Sequence, residues 1–295
     1  MIKNRILSFM AFLVMSGTLA FAQQMPVSRV LTDTIHSKVL GVARAYDVYL
    51  PASFDVDKAK KYPVLYLLHG MWGKNDDWTG RGHLKDVMDR LVASGEADEM
   101  IVVTPDAGGG NPEEFQNGYF NMPGWNYEDF FFTELLPAVE EMYRVIGDKK
   151  HRAVAGLSMG GGGATSYGQR HADKFGAVYA MSALMDIPDY GKAEPASTDG
   201  KLAKLTKSVV DNSCVAYVRE ADDARKDSLR SVAWFVDCGD DDFLLDRNID
   251  FYQAMRNAGI PCQFRVRDGV HDWEYWHSAL YKCLPFVTRE FNRQR

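Results

Sequence analysis

The segment Gly156-Leu157-Ser158-Met159-Gly160 carries the most reactive pattern in the chain. A short apolar run, 153–155, leads into it, and three more glycines, Gly161 to Gly163, open what reads as a helix. Gly-x-Ser-x-Gly between a strand and a helix sets a serine on a tight turn with its hydroxyl exposed. Small residues must flank the serine because the turn brings two backbones together. A serine hydroxyl is a weak nucleophile near neutral pH, so a base must take its proton as it attacks. The base needs a carboxylate to set its tautomer and to stabilise the imidazolium. Of the seven histidines, His271 stands in a loop directly after the last expected strand, next to Trp273 and Trp276. His69 lies in a strand-end turn and reads as structural. His36, His83, His151, His171 and His277 fall at edge, loop or helix positions. His271 is the expected base. Asp237, Asp240, Asp241, Asp242 and Asp246 compete for the acid's place. Adjacent carboxylates repel, so they cannot all be buried at one imidazole, and only one is needed. The oxyanion formed on attack requires fixed N–H donors. Met159 supplies one at the helix start, and the loop His69-Gly70-Met71 supplies the other, with the Met71 N–H favoured. The two methionine side chains read equally well as pocket walls.

These groups need a scaffold that brings distant loops together. Residues 27–36 and 43–50 alternate and are rich in β-formers, as in an antiparallel hairpin at a sheet edge. Residues 64–68, 101–103 and 232–236 are continuous apolar runs, as in strands buried on both faces of a parallel sheet. Residues 177–180 form another such strand, and 263–267 a final edge-like one. Helical spacing covers 83–93, 127–143, 248–258 and 273–291, with Pro137 and Pro285 as expected kinks. Residues 108–125 read as a long irregular excursion, a feature that is often functional. Strands alternating with helices imply a parallel sheet with helices on both faces and a site at the strands' carboxyl ends. His69, Ser158, the aspartate cluster and His271 all fall at such ends. Residues 186–231 are polar and weakly patterned. They read equally as a cap inserted over one end of the sheet or as an ordinary surface excursion.

The chain has 295 residues. Lys3 and Arg5 precede an apolar run, 6–20, and Ala20-Phe21-Ala22 matches a small-x-small cleavage site. That pattern predicts a secretory signal peptide over 1–22, and hence a periplasmic or secreted protein. The remaining 23–295 would form a single domain. Of 34 Lys and Arg, two lie in this leader, and 40 Asp and Glu oppose the rest, so the mature chain carries a net charge of −8. An acidic chain without a basic block argues against nucleic acid or an anionic membrane as partner. Export would permit disulfides among Cys214, Cys238, Cys262 and Cys283, but spacing does not assign pairs. No Cys-x-x-Cys or His-Glu-x-x-His occurs, and no phosphate- or dinucleotide-binding glycine motif, so neither a metal nor a cofactor is expected.

Four motifs in order now resemble one family. They are Tyr66-Leu67-Leu68-His69-Gly70-Met71-x-Gly73 followed by Trp78, then Gly156-Leu157-Ser158-Met159-Gly160-Gly161, then Cys238-Gly239-x-x-Asp242-Phe243, then His271-Asp272-Trp273 with Trp276. The resemblance is to the esterase D superfamily of α/β-hydrolases. That group includes carbohydrate esterase family 1 feruloyl and acetylxylan esterases, tributyrin esterases, S-formylglutathione hydrolases and mycolyltransferases. It implies an α/β-hydrolase fold and a Ser158–His271–Asp242 triad, with the acid on the last aspartate of Cys-Gly-x-x-Asp. With the leader, it implies an exported serine carboxylesterase acting on acetyl, feruloyl or short-chain acyl esters, those of polysaccharide foremost. The aromatics Trp72, Tyr119, Trp125 and Trp273 are the expected substrate contacts, although such residues more often pack the core. An acyltransferase delivering to a sugar or lipid hydroxyl is one alternative. A sugar-binding relative without catalysis is another. The segment 186–231 matches no pattern of the family.

Overall fold

Alternate residues of a strand face opposite sides, so a run that is apolar throughout can be satisfied only between two layers of helices. The computed structural model, which describes residues 26–108, 118–187 and 200–293, shows this arrangement. Its strands are β1 (Arg29–His36), β2 (Ala43–Leu50), β3 (Val64–Leu68), β4 (Ile101–Pro105), β5 (Asn121–Met122), β6 (Trp125–Asn126), β7 (Arg152–Leu157), β8 (Ala177–Met181), β9 (Ala233–Gly239) and β10 (Cys262–Arg267). Eight of them form one sheet in the order β1-β2-β4-β3-β7-β8-β9-β10, and β5 and β6 make a separate small ribbon. β1 pairs antiparallel with β2, and β2 with β4. Every pairing from β4 to β10 is parallel. This is the expected mostly parallel sheet with an antiparallel N-terminal edge.

The helices are α1 (Asp77–Gly80), α2 (Leu84–Ser94), α3 (Tyr127–Phe130), α4 (Leu136–Met142), α5 (Ser158–Arg170), α6 (Lys201–Asp211), α7 (Cys214–Arg219), α8 (Asp223–Arg230), α9 (Leu245–Asn257) and α10 (Trp273–Asn292). On one face Tyr66 and Leu68 of β3, Val154 of β7 and Val178 of β8 pack with α3 to α5, α7 and α9. On the other, Leu65, Leu67, Ala153, Ala155 and Tyr179 pack with α2 and α10. Proline acts more gently than expected. A π-helical turn, Phe131–Leu135, links α3 to α4 just before Pro137, so the chain stays helical where that residue offers no N–H. α10 runs through Pro285 as one element.

The expected leader, 1–22, lies outside the described residues, as do 109–117 of the irregular excursion and 188–199 of the expected cap. Of the rest of 186–231, α7 packs beside α5. The Gln169 side chain donates to the Cys214 carbonyl at 2.9 Å, and the Tyr217 hydroxyl to the Gln169 carbonyl at 3.1 Å. The four cysteines are free thiols, three of them buried.

One buried charge sits near the carboxyl end of β9. Asp237 is fully buried and accepts from both Nε and Nη2 of Arg267, each at 3.0 Å. It also accepts from the hydroxyls of Tyr179 and Tyr275. Removing one partner of such a pair strands the other in a low-dielectric interior, at a cost of about 3–5 kcal/mol. Arg267→Met is therefore expected to lower Tm by roughly 10 °C in a thermal melt, given the size of the domain. The double variant Arg267→Met with Asp237→Asn should recover part of that loss.

Candidate active site

The turn after β7 is as tight as its glycines suggest. Ser158 adopts a left-handed backbone, φ 53°, a strained geometry for a residue with a Cβ. A Cβ on Gly156 would lie 2.3 Å from the Gly160 carbonyl oxygen, and one on Gly160 would lie 2.4 Å from that of His69. Both positions therefore require glycine, and the second shows how closely the loop after β3 approaches the first turn of α5. Met159 lies in that turn, where helix N–H groups have no intrahelical acceptor. The loop holding Met71 closes on itself through Gly73 N–H to the Gly70 carbonyl, 3.1 Å.

His69 holds this loop in place. Its ring is buried, and burial is the main reason its basicity is lowered. Nε2 accepts from the Ala107 N–H at 3.0 Å. That leaves Nδ1 protonated and donating to the Gly70 carbonyl at 2.7 Å. The neutral ring thus ties the β3 loop to the end of β4.

The loops after β9 and β10 are joined by three hydrogen bonds. Asp240 N–H donates to the Arg267 carbonyl, Asp241 N–H to the Gly269 carbonyl, and Gly269 N–H to the Asp240 carboxylate. His271 follows on this paired segment, and Asp272 then caps α10 by accepting from the Tyr275 N–H. As a result His271 Nε2 lies 3.0 Å from Ser158 Oγ, and Nδ1 lies 2.8 and 3.0 Å from the two Asp242 oxygens. An ionised carboxylate only accepts, so Nδ1 carries the proton and Nε2 is free to accept from the serine. Burial works against a charge on Asp242. The hydrogen bonds from His271, the Leu244 N–H and the Ser182 hydroxyl outweigh it and hold the carboxyl below the usual carboxylate range.

The other aspartates are placed differently. Asp237 is engaged by Arg267, and Asp240, Asp241 and Asp246 are exposed. Of the other histidines, His151 contacts Asp148, His171 contacts Glu128, and His277 contacts the Gly82 carbonyl. Sequence reasoning missed Ser182. It follows β8 directly, is buried, and has φ 46°. Its Oγ accepts from Trp276 Nε1–H at 3.1 Å, and its hydroxyl is among the groups that lower the Asp242 carboxyl. Its position at a strand's carboxyl end was the one available signal.

A cleft of about 640 Å³ opens over Ser158 and His271, with Met71, Trp72, Phe243 and Trp273 among its walls. Trp72 is 42% exposed. Trp273 packs edge-on against Trp78 and Trp276, with the Arg81 guanidinium 5.0 Å from its ring. Tyr119 and Trp125 correct the expectation of four substrate aromatics, because both are interior. The Tyr119 hydroxyl donates to the His69 carbonyl at 2.9 Å and so braces the β3 loop from beneath. Trp125 stacks on Tyr127, donates to the Gly118 carbonyl, and has Arg44 over its ring. Both rings gain more from burial with a satisfied polar edge than they would at a wet wall.

Comparison with known proteins agrees with the fold. A sequence profile of the esterase family matches residues 37–287. A solved ferulic acid esterase is 71% identical, covering 90% of this chain and 99% of its own, with a TM-score of 0.87. An endo-1,4-beta-xylanase/feruloyl esterase of Xylanibacter ruminicola is 28% identical over 262 residues, which is 87% of this chain but 31% of that protein. An acetyl esterase of Caldicellulosiruptor saccharolyticus is 24% identical over 253 residues, covering 80% of this chain and 86% of its own.

Proposed function

The chain belongs to the esterase family, with an α/β-hydrolase fold, and from that premise we propose that it is an exported serine esterase removing feruloyl groups from plant polysaccharide. The observation that carries the proposal is the continuous relay Asp242–His271–Ser158 at the floor of an aromatic-walled cleft. Ser158 Oγ attacks the ester carbonyl as its proton passes to His271 Nε2. Asp242 stabilises the imidazolium. The Met71 and Met159 N–H groups hold the oxyanion, each such donor contributing about 3 kcal/mol to the transition state. Nε2 then protonates the departing alcohol oxygen, and water, activated by the same imidazole, releases the acid from Ser158. No part of this cycle uses a metal or cofactor.

The 71% identity to a ferulic acid esterase supports the acyl group, and Trp72 and Trp273 offer it aromatic surface. The signal-peptide pattern over 1–22 supports export, with 23–295 as one domain and 186–231 as its inserted segment. Among the described residues no helix is long and apolar enough to cross a membrane. The test is kcat/KM across methyl ferulate, p-nitrophenyl acetate and acetylated xylan. The expected result is at least about a hundredfold preference for ferulate, or roughly 3 kcal/mol of differential transition-state binding. A preference for the acetyl esters would overturn the feruloyl assignment and leave a short-chain esterase.

A further inference from the structure

His271 contacts two aromatic rings of opposite character. Trp276 meets it edge-on at 4.9 Å and is buried, with its indole N–H given to Ser182. Phe243 also packs against it, 4.5 Å between ring centroids, and is 75% exposed. The first ring is part of the architecture. The second leaves most of a large apolar side chain in water at the cleft, directly after the acid in sequence. The reaction indicates what approaches it. His271 Nε2 must reach the leaving oxygen to protonate it, so the alcohol half of the ester, not the acyl half, stands beside the imidazole. Phe243 is the exposed apolar ring in contact with that imidazole. A sugar ring carries C–H groups on one face and hydroxyls at its edge, and its C–H face covers an aromatic ring while the hydroxyls stay in water.

We propose that Phe243 is the platform for the sugar from which the acyl group is removed, and so sets selectivity for esters of carbohydrate over esters of simple alcohols. This rests on the esterase reading of the Ser158 site. The experiment uses two esters with the same acyl group, methyl ferulate and methyl 5-O-feruloyl-α-L-arabinofuranoside. Both form the same acyl-enzyme, so any difference in kcat/KM arises before the alcohol leaves. In Phe243→Ala the ratio of sugar-ester to methyl-ester kcat/KM is expected to fall about tenfold, and Phe243→Trp should restore it. An unchanged ratio would overturn the proposal. So would an equal fall on both esters, which would mean that the ring only props His271 or touches the acyl group. Should the wild-type enzyme turn over neither feruloyl ester, the acyl assignment fails on its own. The same ratio read on ethyl acetate and methyl 5-O-acetyl-α-L-arabinofuranoside then decides the role of Phe243.

Discussion

Replacing Ser158 with alanine is expected to lower kcat on any ester the enzyme accepts by about 10⁴-fold or more. Among the described residues lining the cleft, Ser158 carries the hydroxyl that pairs with the imidazole, at 3.0 Å. KM should change much less, because the cleft walls and the loop after β3 do not depend on that oxygen. Folding should also be unaffected. His271 keeps its two bonds to Asp242, and the turn at Ser158 is fixed by glycine contacts rather than by the hydroxyl. A melt of the variant checks this, and steady-state turnover of p-nitrophenyl acetate checks the activity. Equal turnover by both proteins would favour a binding protein that has kept the fold without the chemistry.

Asp242→Asn is the second large effect, about 10⁴-fold in kcat. The loss is one of tautomer rather than of space. An amide at this position offers an N–H to Nδ1, which moves the ring proton to Nε2 and removes the lone pair that must accept from Ser158. kcat and kcat/KM should fall together, as they do when an interaction made in the transition state is removed. Asp241→Asn should stay within about twofold, since that carboxylate is exposed and screened by solvent. The substitution also changes stability against pH. Asp242 has its folded-state pKa depressed, so its contribution is complete above the ordinary carboxylate range. That contribution disappears as pH falls through the lowered value. Acid unfolding of Asp242→Asn should lack this component, and a pH series of denaturant melts would read it.

The parts of the molecule legible in sequence are those governed by local rules. Val64–Leu68 is apolar at every position because both faces of β3 are covered, and the run announces this without any knowledge of the neighbours. Gly156 and Gly160 mark the Ser158 turn because a Cβ at either would strike backbone. The choice among aspartates was not local. Asp237 and Asp242 lie on one short stretch, and what separates them is which partners arrive from elsewhere, Arg267 and two tyrosines for one and His271 for the other. Only family resemblance pointed to Asp242. Tyr119 and Trp125 show the same limit. An aromatic residue in an irregular segment reads as a ligand contact until its ring is found packed under the loop it supports. Ser182 was missed for a related reason. Its positive φ and its bond from Trp276 exist only once β8 and α10 have met.

Whether His271 activates the Ser158 hydroxyl can be read by covalent trapping. A fluorophosphonate reacts with a serine in proportion to that serine's activation, and peptide mass spectrometry locates the adduct. The expected result is one stoichiometric adduct on the peptide containing Ser158, formed at least about a hundredfold more slowly in His271→Ala. An adduct on another residue, or labelling of Ser158 at the same rate without the imidazole, would mean that His271 does not activate this serine.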